Sequence, residues 1–549
     1  MGFATNPILP GFHPDPSIIR VGEWYYLANS TFEWWPGVRI HKSKDLGNWE
    51  LVGHALTRKS QLDLRGVPES GGVWAPALSH ADGLFWLIYS DVKAFNGVSK
   101  DVRNYLVTAS RIEGPWSDPV SLNSSGFDPS LFHDDDGTKW LVCQLWDPRP
   151  GKNPFAGITL QRFDVGSGRL VGTASVIFKG SPLGVVEGPH VYKRGGYYYL
   201  VTAEGGTGWQ HAVTVARSRS LQGPYEVAPH NPILTAYGHP ESEFKKAGHA
   251  SLVEAPDGKW FMVHLCSRTV GKSGRCVLGR ETALQSIDWP LGGWPKLSGK
   301  GNAPRARVSL AGVRTGGYAD MFVDEFDKPD LDKAWSVLRE PHALSWLSLT
   351  ERKGYLRLRG RHSLLSSFDQ SLVGFRLLHH HCSISTRLEF FPEGFQQTAG
   401  LALYYNTTNF HYLYICGTED GGRELRLLCG DVGTYCDPAP QPVPLPRRGT
   451  VELEAEVSGH SLQFYYSCAG ILRETVGPAL DMTLLSDDRV IEGGSWGFTG
   501  CFAALCAQDS GDSGIPADFD WFGYYLTKRT SKRQSNPREL AASAGSRNT

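Results

Sequence analysis

The first 300 residues of this chain use one pattern five times. Each copy has a short apolar run, a glycine-bearing turn and a second run rich in aromatic residues. Asp15-Pro16-Ser17-Ile18-Ile19 precedes Gly22-Glu23-Trp24-Tyr25, and Ala75-Pro76-Ala77-Leu78 precedes Gly83-Leu84-Phe85-Trp86. Asp128-Pro129-Ser130-Leu131 precedes Gly137-Thr138-Lys139-Trp140, Gly188-Pro189-His190-Val191 precedes Gly196-Tyr197-Tyr198, and His249-Ala250-Ser251-Leu252 precedes Gly258-Lys259-Trp260. A fixed period of about 60 residues means one supersecondary unit repeated. Run, turn and run is hairpin chemistry, and no long segment of helical period interrupts it. A radial array of such units over residues 1–300 is a five-bladed β-propeller in an all-β chain.

Acidic residues open three of these segments: Asp15 in blade one, Asp128 in blade three and Glu187 in blade four. They are read here as equivalent positions on the innermost strands, which converge on one axis. An acid before proline often does no more than cap a turn. Three in register would instead face one another across a central pocket. Carboxylates around an aromatic pocket suit glycosidic bond hydrolysis, with one protonated to meet the leaving oxygen and another ionised to activate water or attack carbon.

The runs Asn6-Pro7-Ile8-Leu9-Pro10-Gly11-Phe12-His13-Pro14-Asp15-Pro16-Ser17, Gly126-Phe127-Asp128-Pro129-Ser130 and Glu187-Gly188-Pro189-His190 resemble the signatures of glycoside hydrolase family 43, close to its two-domain β-xylosidases. The resemblance implies Asp15 as general base, Glu187 as general acid and Asp128 as the residue that tunes and orients the acid. It implies inversion at the anomeric carbon. Phe32, Trp74 and Trp146 match aromatic walls of the sugar subsite, and Ala75 stands where blade two has no acid, leaving room. Arg280 matches an arginine that grips sugar hydroxyls near the acids, and Thr207, in the loop Gly205-Gly206-Thr207-Gly208, is expected as a further pocket contact. His249 takes the carboxylate's place in blade five and faces the axis, where relatives hold a water cluster or a calcium ion. Calcium prefers oxygen ligands, so one imidazole among waters would make a weak site, and no cofactor is expected to be required.

After a linker expected at residues 301–318 the repeat disappears. Tyr355-Leu356-Arg357-Leu358-Arg359 and Val451-Glu452-Leu453-Glu454-Ala455 alternate as half-buried strands do, which predicts a two-sheet β-sandwich over 319–528. It resembles the concanavalin-like jelly roll of the family's β-xylosidases. Within it, Phe498-Thr499-Gly500-Cys501-Phe502 matches a loop whose last aromatic, Phe502, is expected to reach the propeller mouth and close the cleft into a pocket. Residues 529–549 are polar and expected to be disordered.

The chain has 549 residues and a formal net charge of −1, so nothing points to nucleic acid or a membrane surface. No run reaches the roughly 18 apolar residues of a spanning helix. Ten cysteines follow no metal or redox spacing and are expected to be reduced. With no signal peptide before Asn6, a cytoplasmic location is expected, or secretion if the start is an engineered mature terminus. The expected activity is an inverting, exo-acting β-1,4-xylosidase on xylo-oligosaccharides with side α-L-arabinofuranosidase activity. The alternatives are an arabinofuranosidase or arabinanase, and a carbohydrate-binding protein without catalysis. The resemblance also implies a homo-oligomer, dimer or tetramer.

Overall fold

A computed structural model describes residues 2–310, 312–313, 320–343 and 345–527. The tail expected at 529–549, and residues 311 and 314–318 of the expected linker, lie outside the described residues.

Five antiparallel sheets follow one another along the chain, each with its first strand innermost. Those inner strands are Ser17–Val21, Gly72–Ala81, Ser130–His133, Glu187–Arg194 and Phe244–Glu254. In every blade the turn glycine of the repeat, from Gly22 to Gly258, has a positive φ, the conformation a tight hairpin needs and other residues resist. The ring is clasped by strand Gly2–Thr5, which pairs antiparallel with Arg307–Leu310. Residues 301–318 are therefore not wholly a linker: their Arg307–Leu310 stretch completes the propeller.

The sandwich has an eight-stranded and a nine-stranded sheet. The edge of the nine-stranded sheet is not its own. Strand Trp34–Trp35, from blade one, pairs with Ser336–Leu338 through Trp35 opposite Val337 and Trp34 opposite Leu338. One apolar core accordingly runs from Val38, Leu64 and Tyr89 of the propeller into Trp335, Trp346 and Phe375 of the sandwich. A six-residue helix, Asp487–Glu492, is capped by Ser486, whose side chain accepts the Arg489 N–H. Among the described residues no helix is long and apolar enough to cross a membrane, and all ten cysteines are unpaired.

Candidate active site

Along each inner segment the backbone turns through a left-handed residue, just ahead of the strand at Asp15 (φ 50°) and Asp128 (53°) and within it at Ala75 (34°), Gly188 (56°) and His249 (47°). These five are the equivalent positions of the repeat. Glu187 is one residue earlier, so the three acids are not in register as expected. The reason is steric. A Cβ on Gly188 would lie 3.0 Å from His249 Cε1, and the left-handed backbone there already favours glycine. Blade four therefore supplies its acid from the neighbouring position. For the non-glycine residues this conformation costs roughly 1–2 kcal/mol each, and such strain collects at functional sites.

The acids nonetheless meet. Asp15, Asp128 and Glu187 line one cavity of about 230 Å³ with Phe32, Trp74, Thr207, His249 and Arg280. All three carboxyls are more than nine-tenths buried. Asp15 accepts a hydrogen bond from Ser30 Oγ at 2.6 Å, and its other oxygen lies 3.6 Å from Arg280 Nη1 and 3.9 Å from His249 Nδ1. Arg280 also donates to Thr207 Oγ1 at 3.0 Å and sits over the rings of Phe32 and Phe498. Asp128 accepts the Gly188 N–H at 3.1 Å, which ties it to the backbone beside Glu187.

Burial first, and the Asp15 charge second, push the Glu187 carboxyl up to about 8. Arg280 and Lys100 oppose that rise. Asp128 is also held well above the usual carboxylate range, by burial and then by Glu187 and Asp15. The acid that raises Glu187 is thus Asp15, while Asp128 has a hydrogen bond suited to orientation. Burial keeps His249 and His190 below the usual imidazole range, His190 at about 3, so both stay neutral near pH 7.

Three expected contacts fall elsewhere. Ala75 is not part of the cavity wall; its N–H donates to Ser30 Oγ at 2.7 Å, supporting the serine that holds Asp15. Trp146 stands behind the wall, against Phe127 and Phe155. Phe502 does not reach the mouth. It opens strand Phe502–Asp509, opposite Tyr404 and Arg376, and its fully buried ring stacks on Trp34 with centroids 3.6 Å apart. Phe498, four residues earlier and ahead of the strand, is the sandwich aromatic in the cavity wall, with Trp496 beside it.

The two phenylalanines should separate by experiment. Phe502→Ala is expected to lower stability by about 3–5 kcal/mol, as loss of a buried aromatic does. Phe498→Ala should raise KM with little change in unfolding. Equal unfolding curves for the two variants would contradict this division.

Further wall residues were not nominated from the sequence: Phe95, Lys100, Phe127 and Phe155. Phe127 is next to Asp128 in the run Gly126-Phe127-Asp128-Pro129-Ser130. Lys100, whose Nζ is 4.2 Å from the Trp146 ring centre, comes from the turn after Leu84–Ala94, where no repeated signal marks it.

A calcium ion at the axis finds no ready cage. His249 brings one nitrogen, and a hard cation wants six to eight oxygens. Among the described residues the group of three ligand-bearing side chains close enough for a metal is Cys276, Asp487 and Asp488. That group already holds the Lys246 ammonium, 2.7 Å from both carboxylates.

Comparison with known proteins agrees with this geometry. Residues 4–295 match the family model described as glycosyl hydrolases family 43, and residues 323–525 match the β-xylosidase C-terminal concanavalin A-like domain. The chain is 48% identical over 533 residues to xylosidase/arabinosidase 43B of Humicola insolens, covering 96% of this chain and 98% of that one. It is 45% identical to a β-xylosidase of Bacillus subtilis, covering 95% and 99%. The crystal structure of xylan β-1,4-xylosidase from Bacillus halodurans C-125 superposes with a TM-score of 0.92 at 48% identity, over 95% of this chain and all of that one. Two domain models in the family's order, matched by near-complete relatives and built around one pocket of three carboxyls, make this chain a two-domain member of glycosyl hydrolases family 43.

Proposed function

We propose that the protein is an inverting exo-β-1,4-xylosidase that removes single xyloses from the non-reducing end of xylo-oligosaccharides. The observation that carries this is the convergence of Asp15, Asp128 and Glu187, from three blades, in one aromatic-walled pocket that Phe498 of the sandwich helps to enclose. A pocket takes a chain end and turns away a chain middle. Xylose is a flat ring with hydroxyls and no exocyclic arm, which suits walls of Phe32, Trp74 and Phe498 with Arg280 and Thr207 as polar partners.

In this reading Glu187, protonated near neutral pH, gives its proton to the leaving oxygen as the bond to the anomeric carbon breaks. Asp15, facing Arg280, takes a proton from a water that attacks the opposite face, so the product carries inverted configuration. Asp128 holds the Gly188 backbone and with it the start of the strand that bears Glu187.

Side activity on α-L-arabinofuranosides is proposed as well, because the Humicola insolens relative is named for both activities and a Bacteroides ovatus relative, 35% identical, is named a non-reducing end α-L-arabinofuranosidase. Hydrolysis of xylobiose followed by proton NMR tests the reading. Initial release of α-xylose is expected. Initial β-xylose would mean retention and a nucleophilic Asp15, and turnover of arabinofuranosides alone would make arabinose the main substrate.

A further inference from the structure

The wall that the sandwich lends to the pocket is an irregular segment between helix Asp487–Glu492 and strand Phe502–Asp509. It carries Trp496 and Phe498. No ladder of backbone bonds holds it over the propeller, so its position depends on separate ties. On one side, the Cys501 N–H donates to the Val277 carbonyl at 3.0 Å, and Arg280 donates twice to the Phe498 carbonyl, at 3.2 and 3.0 Å. Gly279 and Gly500 let the two chains touch there, since a Cβ on Gly279 would lie 2.0 Å from the Thr499 carbonyl oxygen.

On the other side stands one propeller residue, Ser70. Its hydroxyl donates to the Trp496 carbonyl at 2.9 Å and accepts the Phe498 N–H at 3.0 Å. One hydroxyl thus serves both ends of the short stretch that bears the two aromatics, using its donor and one of its acceptor positions. The Ser70 carbonyl accepts the Trp74 indole N–H at 2.8 Å. A single residue therefore fixes a wall of the propeller and a wall of the sandwich, whose rings lie 5.8 Å apart in Trp74 and Phe498.

Ser70 is itself held in a demanding conformation. It is 2% exposed and has a φ of 61°. Its N–H donates to Glu33 Oε2 at 3.1 Å. Glu33 follows Phe32, a further wall, and its own carbonyl accepts the Arg339 N–H at 2.9 Å. Arg339, from the sandwich, pairs with Glu69 at 2.9 Å and donates to the Val67 carbonyl. Both neighbours of this serine in space are thus anchored across the domain boundary. A strained conformation of this kind persists where the surroundings over-determine it, and such residues cluster at functional sites.

We propose that Ser70 is a positioning residue for the sugar pocket: its hydroxyl pins residues 496–498 of the sandwich over the propeller mouth and so sets where Phe498 and Trp496 meet the substrate. Its effect on turnover rests on the exo-xylosidase reading, whereas the pinning itself does not.

The test uses Ser70→Ala and Ser70→Gly in the full chain. Glycine adopts the positive φ without strain, so the second variant removes the hydroxyl while easing the backbone. Hydrogen exchange read by mass spectrometry should show the peptide containing Phe498 exchanging at least about tenfold faster in both variants, with distant peptides unchanged. KM for xylobiose should rise about five- to tenfold, on the scale of lost hydrogen bonds, with kcat changed less than about threefold. Unchanged exchange at Phe498 would overturn the proposal. So would faster exchange with KM within about twofold of the native value, because the pin would then set nothing the substrate feels. If the native protein leaves xylobiose intact, the xylosidase reading fails, and exchange at Phe498 alone still decides whether Ser70 holds the segment.

Discussion

Glu187→Ala should lower kcat on xylobiose by about 10²–10⁴-fold, the range supplied by a positioned general acid. The loss should depend on the leaving group. A xylose alkoxide cannot depart without a proton, whereas a nitrophenolate can, so a nitrophenyl xyloside should lose far less. The pH profile gives a second readout. With the carboxyl raised to about 8, Glu187 keeps its proton across the neutral range. Activity of the native protein should fall as pH rises through about 8, and this limb should be missing from the residual activity of the alanine variant. A limb that persists there would assign the acid to another group. Stability follows the same linkage: between the ordinary value of 4.5 and about 8 the fold binds a proton that the unfolded chain has released. The contribution of this group is therefore complete below that window and declines as pH rises across it.

Asp15→Ala should cost a similar factor of about 10²–10⁴, but equally on xylobiose and on the nitrophenyl xyloside, because water activation is needed whatever leaves. KM should stay within a few fold of native, since Phe32, Trp74 and Phe498 remain. Asp15 is also the second cause of the high Glu187 value. In Asp15→Asn the alkaline limb of the residual activity should therefore move to lower pH. Steady-state kinetics across pH with both substrates check all of this. A loss confined to xylobiose would give Asp15 a leaving-group role and refute its assignment as base.

How much of this was legible in the sequence differs from residue to residue. The propeller was readable because its signal is repeated: a turn glycine and an aromatic-led strand recur five times. The acids were readable as a set, and the aligned segments already put Gly188, rather than Glu187, opposite Asp15. What the sequence does not show is the His249 ring that crowds that position, a contact between blades about 60 residues apart. The motif around Phe498 is legible, but not that Phe498, rather than Phe502, enters the pocket wall. Position along the chain does not tell which of two phenylalanines lies before a strand and which begins it. Phe502 belongs to Trp34, a partner more than 450 residues away. Lys100 and Ser70 had no signal, since a lone lysine or serine in a turn acquires meaning only from what the other domain brings to it.

The pairing of Trp34–Trp35 with Ser336–Leu338 also bears on the order in which the molecule can be made. During synthesis the strand in blade one emerges about 300 residues before its partner exists. At about 5–20 residues per second that is roughly 15–60 s of waiting. For that time two tryptophans and an open strand edge lie on a nascent propeller, the kind of surface that invites wrong partners. The clasp between Gly2–Thr5 and Arg307–Leu310 closes only near the end of the same interval. The sugar pocket comes later still, because Phe498 leaves the ribosome close to the end of the chain. Its last wall is translated when nearly everything it must fit is already in place.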